Sequence, residues 1–210
     1  MRNITKGCAK VNLMVLLFCI TFVNGQNIDI AILRDINKDR NENLDPAFKV
    51  VTNSAVPFSI ATPIIIYSVG LIKKDGTIRK QAVFIGETFL VNGFITFALK
   101  HAVKRARPFE TYPDIEQASS ALGDSFPSGH TSLAFGTATS LSMEYPKWYV
   151  IAPSFVWAGA VGYSRMHLGV HYPSDVVVGA IIGSGSAYVS YKMNKWLNRK
   201  RVKKNALNTE

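Results

Sequence analysis

The chain has 210 residues, 48% of them hydrophobic, and its 24 lysines and arginines against 14 acidic residues give a formal net charge of +10. This length suits one domain. The basic excess favours an anionic membrane surface over nucleic acid as the partner, because the basic C-terminal tail follows an apolar segment and lacks interleaved aromatic residues.

Residues 1–25 have the pattern of a signal peptide. Three basic residues precede an apolar run over 11–23, and small residues follow near Gly25. The apolar run is too short for a comfortable membrane span, so cleavage near Gly25 is expected, with an uncleaved anchor as the alternative. Both cysteines, Cys8 and Cys19, lie in this segment. Cleavage would therefore leave a mature chain without a disulfide framework.

Residues 26–49 predict a short amphipathic segment. Ile28, Ile32 and Ile36 recur every four residues among polar neighbours, and a turn is expected to end near Asp45-Pro46. Such a helix would lie in the membrane interface or pack on the protein's own surface.

Five apolar segments follow, and each predicts a helix. The predicted fold is all-α, a multi-span transmembrane helix bundle with about five spans after signal-peptide removal and six if the N-terminal segment is kept. Residues 50–193 would form the membrane domain and 194–210 a basic cytoplasmic tail. Glu87 and Asn92 interrupt the second span, where hydrogen bonds between helices are expected. The spans are predicted at 55–72, 82–99, 128–145, 148–163 and 176–191.

Three polar blocks stand between these segments. The first is Lys100 with Arg107-Pro108. Cations seven residues apart fall on one helix face, and Pro108 is expected to end that helix just after Arg107. Two cations at a helix end suit an anionic ligand, although a solvated basic face beside a membrane segment gives the same pattern.

The second block is Pro127-Ser128-Gly129-His130, before a run with no charge. Ser128 is expected to cap the following helix, whose free N–H groups and positive dipole end form an anion site. Gly129 would let an oxygen approach the backbone, and His130 would face that site. The alternative is an ordinary capped helix with an incidental histidine.

The third block is Ser164-Arg165, followed by His171 and Asp175. A spacing of four on a helix places His171 and Asp175 within reach, so the carboxylate can fix the imidazole tautomer and leave one nitrogen free to attack. Arg165 adds a planar fork suited to phosphate oxygens. The alternative is a buried histidine that a neighbouring aspartate satisfies.

In this order, Lys-x6-Arg-Pro, Pro-Ser-Gly-His and Ser-Arg-x5-His-x3-Asp resemble the type 2 phosphatidic acid phosphatase and haloperoxidase superfamily, in its membrane lipid phosphatase branch. The resemblance covers about residues 100–175, and over 26–99 only the hydrophobic pattern matches. It implies that His171 is the nucleophile, that Asp175 orients it and that His130 is the general acid and base. The residues that it implies for holding phosphate oxygens are Lys100, Arg107, Ser128, Gly129 and Arg165.

The resemblance implies a metal-independent phosphatase with no cofactor, because three cations and helix-terminal N–H groups can offset the charge of the phosphoryl group. The expected substrate is a phosphate monoester or diphosphate on a lipid, such as lipid A, a polyprenyl diphosphate or a phosphatidyl phosphate, hydrolysed through a phospho-histidine. Alternatives are a soluble secreted acid phosphatase, a vanadium haloperoxidase, and a membrane binder or transporter without turnover. Nothing in the sequence indicates the oligomeric state.

Clustered lysines and arginines predict the orientation. They lie in the 73–80 and 144–147 links and in the tail after residue 191, three places on one side of a five-span chain. The positive-inside rule makes that side cytoplasmic. All three polar blocks would then meet on the outer face, which is periplasmic if the protein lies in a Gram-negative inner membrane.

Overall fold

The computed structural model describes the backbone of residues 28–207 and the side chains of residues 28–197. Over this range the chain is helical and contains no strand, which confirms the predicted all-α class. The predicted signal peptide lies outside the described residues. The helices are α1 (residues 28–37), α2 (Asp45–Asn53, after a 3-10 turn at Glu42–Leu44), α3 (Ala55–Ile72), α4 (Gly76–Val103), α5 (Pro108–Thr111), α6 (Gly129–Glu144), α7 (Trp148–His167) and α8 (Pro173–Leu207).

Helix α6 is the centre of the bundle and packs against α3, α4, α7 and α8. Its inward residues are small. Ala134 and Ala138 are fully buried beside Ala55, Ala158 and Val161. Because these side chains are short, the helix backbones come close together, as in membrane helix bundles.

The closest approach joins α6 to α8 at two glycines. A Cβ added to Gly183 would lie 2.2 Å from the carbonyl oxygen of Ser132, and one added to Gly179 would lie 2.8 Å from that of Ser128. Both distances are far below van der Waals contact. Glycines four residues apart thus allow the backbones of α6 and α8 to touch, as is typical of membrane helix pairs.

The two polar residues that interrupt the second predicted span bond to neighbouring helices, as predicted. Asn92 donates to Ser132 Oγ of α6 at 3.4 Å, and Glu87 accepts from Asn194 Nδ2 of α8 at 2.5 Å.

The isoleucine stripe of the N-terminal helix does not face the protein. Ile28 and Ile32 are 59% and 43% exposed, whereas Ile30 and Leu33 are buried against Ile115 and Tyr172. Two polar residues, Asp29 and Asn37, share this buried face. They are inside because each has hydrogen-bond partners there, which a count of apolar residues does not register. Asp45-Pro46 begins α2 instead of only closing a turn, with proline in the first helical turn, where its missing N–H costs nothing.

The end of α4 also differs from the prediction. Lys104 adopts a left-handed conformation, with φ of 49°, and closes the helix after Val103. Arg107 is extended and Pro108 begins α5, so Lys100 and Arg107 do not share a helix. The physical reason is that a residue before proline avoids the α region, and the helix stops several residues earlier.

Two described stretches are long and apolar enough to cross a membrane, Glu42–Ile72 and Gly76–Thr111. Helices α3 and α4 expose large apolar side chains, including Ile72, Leu90 and Phe94, which are 69–82% exposed. The five predicted spans correspond to α3, α4, α6, α7 and α8, and their number stays a prediction.

The α6–α8 contact predicts different effects for two alanine substitutions in α8. Gly183→Ala should lower the unfolding temperature in detergent, because overpacking typically costs about 1–3 kcal/mol. Gly185→Ala should leave it unchanged or raise it, because nothing lies within 4 Å of a Cβ there and alanine is the better helix former. Equal shifts for the two variants would contradict the close contact.

Candidate active site

Four helix ends meet at one end of the bundle and carry the three polar blocks. Lys100 lies in the last turn of α4, and Arg165 lies in the last turn of α7. Ser128 precedes α6, and Asp175 lies in the first turn of α8. The backbone N–H of Ser128 donates to the carbonyl of Asp175 at 3.0 Å, which ties the second block to the third.

His171 is almost completely buried. Its side chain is 2% exposed, and Asp175 is fully buried beside it. The Nδ1 atom lies 3.4 Å from Asp175 Oδ2, and the Nε2 atom lies 3.4 Å from Arg107 Nη1. His171 and Asp175 do not share a helix, because α8 begins at Pro173, after His171. The predicted pairing is nevertheless present, and it leaves Nε2 facing the cations.

The carboxylate of Asp175 accepts three other hydrogen bonds. Ser125 Oγ donates to Oδ2 at 2.5 Å, the backbone N–H of Tyr172 donates to Oδ2 at 3.0 Å, and Arg105 Nη1 donates to Oδ1 at 2.8 Å. Oδ2 therefore already has two donors, which accounts for its long distance to His171. Sequence reasoning missed Ser125 and Arg105, because neither stands out among the neighbouring polar and basic residues.

Arg107 is 4% exposed and donates to backbone carbonyls of the loop between α5 and α6 and of the turn between α7 and α8. Its Nε donates to the carbonyl of Gly123, its Nη1 to that of Val170 and its Nη2 to that of Leu122, each at 2.8 Å. Lys100 Nζ donates to the carbonyl of Asp124. A bound phosphate would therefore have to share the N–H donors of Arg107 and Lys100 with these carbonyl oxygens, or displace the carbonyls.

Arg165 is 2% exposed and has a donor to spare. Its Nη1 donates to Thr52 Oγ1 of α2 at 2.8 Å, whereas its buried Nε has no partner among the described residues. A buried guanidinium N–H without a partner is uncommon, and an anion would satisfy it.

The start of α6 is open to an anion. The prediction that the Ser128 side chain caps this helix was wrong. Its Oγ instead shares a 2.8 Å hydrogen bond with Thr131 Oγ1. No side-chain acceptor from Ser128 therefore occupies the first-turn N–H groups. A Cβ on Gly129 would meet only Thr96 Cγ2, at 3.9 Å, so protein packing does not require glycine there. His130 is half-buried and interacts electrostatically with Lys100, Arg107 and Arg165.

The structure thus brings all eight predicted site residues to one end of the bundle, while their roles stay predictions. Burial lowers the pKa of His171, Arg165 and Arg107 lower it further, and Asp175 opposes the shift. A neutral imidazole at neutral pH is the nucleophilic form.

The N-terminal helices support the turn that carries His171. Asn37 is fully buried and donates to the carbonyls of His167 at 3.0 Å and Glu116 at 3.1 Å. Gly169 has a φ of +70°, and a Cβ there would lie 2.1 Å from the Glu116 carbonyl oxygen. His167 Nε2 lies 2.9 Å from Asp45 Oδ1. Sequence reasoning missed these contacts. The only signal for them is that a polar residue such as Asn37 occurs within a predicted helix.

Comparison with known proteins identifies the family. The profile of the PAP2 superfamily matches residues 81–199, more than half of the chain, and the chain belongs to this superfamily. The predicted resemblance is therefore confirmed. An undecaprenyl-diphosphatase of Sulfolobus acidocaldarius is 31% identical over 121 residues, which cover 55% of this chain and 58% of that protein. The chain thus spans less than two thirds of that relative.

Two crystal structures have similar folds. LpxE of Aquifex aeolicus has a TM-score of 0.67 and 27% sequence identity, over 79% of this chain and 95% of that one. A PAP2-type phosphatidylglycerolphosphate phosphatase from Bacillus subtilis has a TM-score of 0.68 and 24% identity, over 86% and 95% of the two chains.

The lowered pKa of His171 predicts a pH dependence of stability. Below about pH 6.5 the unfolded chain binds a proton at this histidine that the native protein excludes, so the free energy of unfolding falls as the pH falls, by up to about 1.4 kcal/mol per pH unit. His171→Gln should remove this contribution. Denaturant unfolding in detergent at several pH values would measure it, and parallel profiles for the two proteins would contradict the buried, neutral histidine.

Proposed function

We propose that this chain is an integral membrane phosphatase that hydrolyses a phosphate monoester or diphosphate on a lipid through a phospho-histidine intermediate. The observation that carries the proposal is the geometry of His171. Its imidazole is buried, with Nδ1 toward Asp175 and Nε2 toward Arg107, at an end of the bundle where two further cations and a helix N-terminus converge.

In the first step, Nε2 of His171 attacks the phosphorus atom. The bond from phosphorus to the lipid oxygen breaks, and His130, which is protonated in the substrate complex where the anionic phosphate offsets the neighbouring cations, donates its proton to that oxygen. The imidazole becomes positively charged as it takes the phosphoryl group, and the Asp175 carboxylate stabilises that charge. Lys100, Arg107 and Arg165 offset the negative charge on the phosphoryl oxygens, together with the first N–H groups of α6.

In the second step, water attacks the phosphorus atom and the phosphorus–nitrogen bond breaks. His130, now neutral, accepts a proton from the water. Inorganic phosphate leaves and His171 returns to its neutral form. The route divides one difficult displacement into two easier ones.

A lipid substrate is supported by the bundle's apolar surface and by the relatives. Helices α3 and α4 expose large aliphatic and aromatic side chains, which a bilayer would cover. A relative 39% identical over 69 residues, 33% of this chain, is a lipid A 4'-phosphatase from Bacteroides thetaiotaomicron. The exposed faces disfavour a soluble secreted enzyme. A binder without turnover would have no use for a histidine oriented by a buried aspartate.

The orientation that we propose places the site on the outer face. Lys73, Lys74 and Lys147 lie in the links between helices at the opposite end of the bundle, where the positive-inside rule expects the cytoplasm.

Cysteine labelling tests this orientation. Leu122, 92% exposed in the loop at the site, and Trp148, 79% exposed at the other end, would each be changed to cysteine in a chain with Cys8→Ser and Cys19→Ser. An impermeant maleimide should label Leu122→Cys in intact cells or spheroplasts and Trp148→Cys only after lysis. The reverse pattern would contradict the orientation.

The nucleophile is tested by phosphate release in detergent from a panel of lipid phosphates and from p-nitrophenyl phosphate. His171→Ala should lose at least about 1000-fold in kcat and form no acid-labile phosphoenzyme. His101→Ala is the matched control, because His101 is exposed in the last turn of α4 beside Lys100. Phosphate release that survives His171→Ala would contradict the mechanism.

The general acid is tested with the same two substrate classes. His130→Ala should slow lipid phosphate hydrolysis by about 100-fold to 10000-fold, since an alkoxide leaving group needs a proton. Phosphoenzyme formation from p-nitrophenyl phosphate should fall much less, because p-nitrophenolate leaves unprotonated. Equal losses in this first step for the two substrates would exclude His130 as the general acid.

A further inference from the structure

Three charged side chains connect the N-terminal helix α1 to the site. Asp29 of α1 is 5% exposed and accepts a 2.7 Å hydrogen bond from Arg105 Nη2. The other terminal nitrogen, Nη1, donates to Asp175 Oδ1 at 2.8 Å. One guanidinium therefore bridges two buried carboxylates, and one of these carboxylates faces the proposed nucleophile.

Asp29 and Arg105 are each held by further contacts. Asp29 also accepts from the backbone N–H of Ser174 at 2.8 Å and from Ser174 Oγ at 2.5 Å. The Arg105 guanidinium lies over the ring of Tyr172, with its central carbon 3.7 Å from the ring centroid. A planar cation between a ring and two carboxylates has little freedom to rotate.

The contacts divide the two oxygens of Asp175 between different tasks. Oδ1 is held by Arg105, whereas Oδ2 faces His171 Nδ1 and accepts from Ser125 and Tyr172. Without the hold on Oδ1, only the hydrogen bonds from Ser125 and Tyr172 to Oδ2 would resist rotation about the terminal torsion, which is broad and poorly restrained by its own rotamer preference. Rotation would move Oδ2 away from the imidazole.

Charge gives the bridge a second effect. Asp29 and Asp175 both approach Arg105, so a neutral residue at 105 would leave two buried carboxylates near each other without their cation. Like charges in a buried site disfavour ionisation, and a protonated Asp175 would stabilise a phospho-histidine less well.

We propose that Asp29 and Arg105 are positioning residues of the active site, which hold Asp175 ionised and with Oδ2 directed at His171. This proposal rests on the proposed function for its kinetic effect. Asp29 lies outside the part of the chain that the family profile matches, residues 81–199. Through Asp29, the N-terminal helix thereby contributes one positioning residue to the site.

The test compares Asp29→Asn, Arg105→Gln and Arg105→Lys with a control ion pair on the same helix. The control is Arg34→Gln, which removes an exposed contact to Asp114 of 2.8 Å without touching the site. Asp29→Asn keeps nearly the same shape and can still accept from Ser174, so it is the variant expected to fold most normally. Unfolding temperature and monodispersity in detergent are measured for each protein before kinetics.

Asp29→Asn and Arg105→Gln should each lower kcat by roughly tenfold to a hundredfold, the range that loss of a partner behind a catalytic ligand typically costs. KM should change less than about threefold, because neither side chain contacts the proposed phosphate site. Arg105→Lys should recover part of the loss, and Arg34→Gln should match the parent. The double variant Asp29→Asn with Arg105→Gln should lose less than the product of the single losses, because the two residues act through one contact.

A second readout does not depend on turnover. In ¹⁵N-histidine-labelled protein, the imidazole of His171, assigned with His171→Gln, should carry its proton on Nδ1 in the parent and should lose this preference in Asp29→Asn and Arg105→Gln. Unchanged kcat in both variants, or a lower unfolding temperature with an unchanged tautomer, would overturn the proposal. A parent protein that releases no phosphate from any substrate would refute the proposed function, and the tautomer result would then decide the positioning role alone.

Discussion

The site depends on the contact between α6 and α8, where no room exists for a Cβ at Gly179 or Gly183. That contact brings Ser128 to the backbone of Asp175, and so sets His130 and the N-terminus of α6 relative to His171. Because both helices begin at this end, two positive dipole ends meet there. A wider side chain at either glycine would separate the two halves of the site before it affected any catalytic group directly.

Burial gives this end of the bundle its chemistry. Arg107, Arg165, His171 and Asp175 are each at most 4% exposed, yet nearly all their polar atoms have partners. Lys100, Arg107 and Arg165 converge here, and an incoming phosphoryl group would interact favourably with their positive charges. The same burial keeps the histidine neutral and able to attack. A low dielectric strengthens each of these interactions, so the site would be much weaker if water filled it.

Sequence reasoning identified this end of the bundle, because the residue types in each polar block have few other uses in an apolar chain. It also gave the helical class, since long apolar segments are local signals. Local signals misplaced the end of α4, where Lys104 turns left-handed ahead of Pro108. They also assigned a side-chain cap to Ser128, whose hydroxyl instead pairs with Thr131.

The contribution of α1 and α2 was beyond such signals. Asp29, Asn37 and Thr52 are each buried by partners 76–145 residues away along the chain. In the sequence they look like ordinary polar positions of amphipathic helices, and the isoleucine stripe does not indicate which face packs on the protein. Only the fold brings Asp29 to Arg105, because the pairing depends on where helix α1 lies against α8 and not on any spacing. Which polar residues become buried in this way depends on contacts between segments that are far apart in the sequence.

The central claim is that a phosphoryl group passes to Nε2 of His171 among the three cations. Crystallography or cryo-electron microscopy of the protein with orthovanadate tests it most directly, because vanadate adopts the geometry of the phosphoryl transition state. The account predicts vanadium at bonding distance from Nε2 of His171, with its equatorial oxygens toward Lys100, Arg107, Arg165 and the first N–H groups of α6. Vanadate bound elsewhere, or held at this end of the bundle without contact to His171, would contradict it.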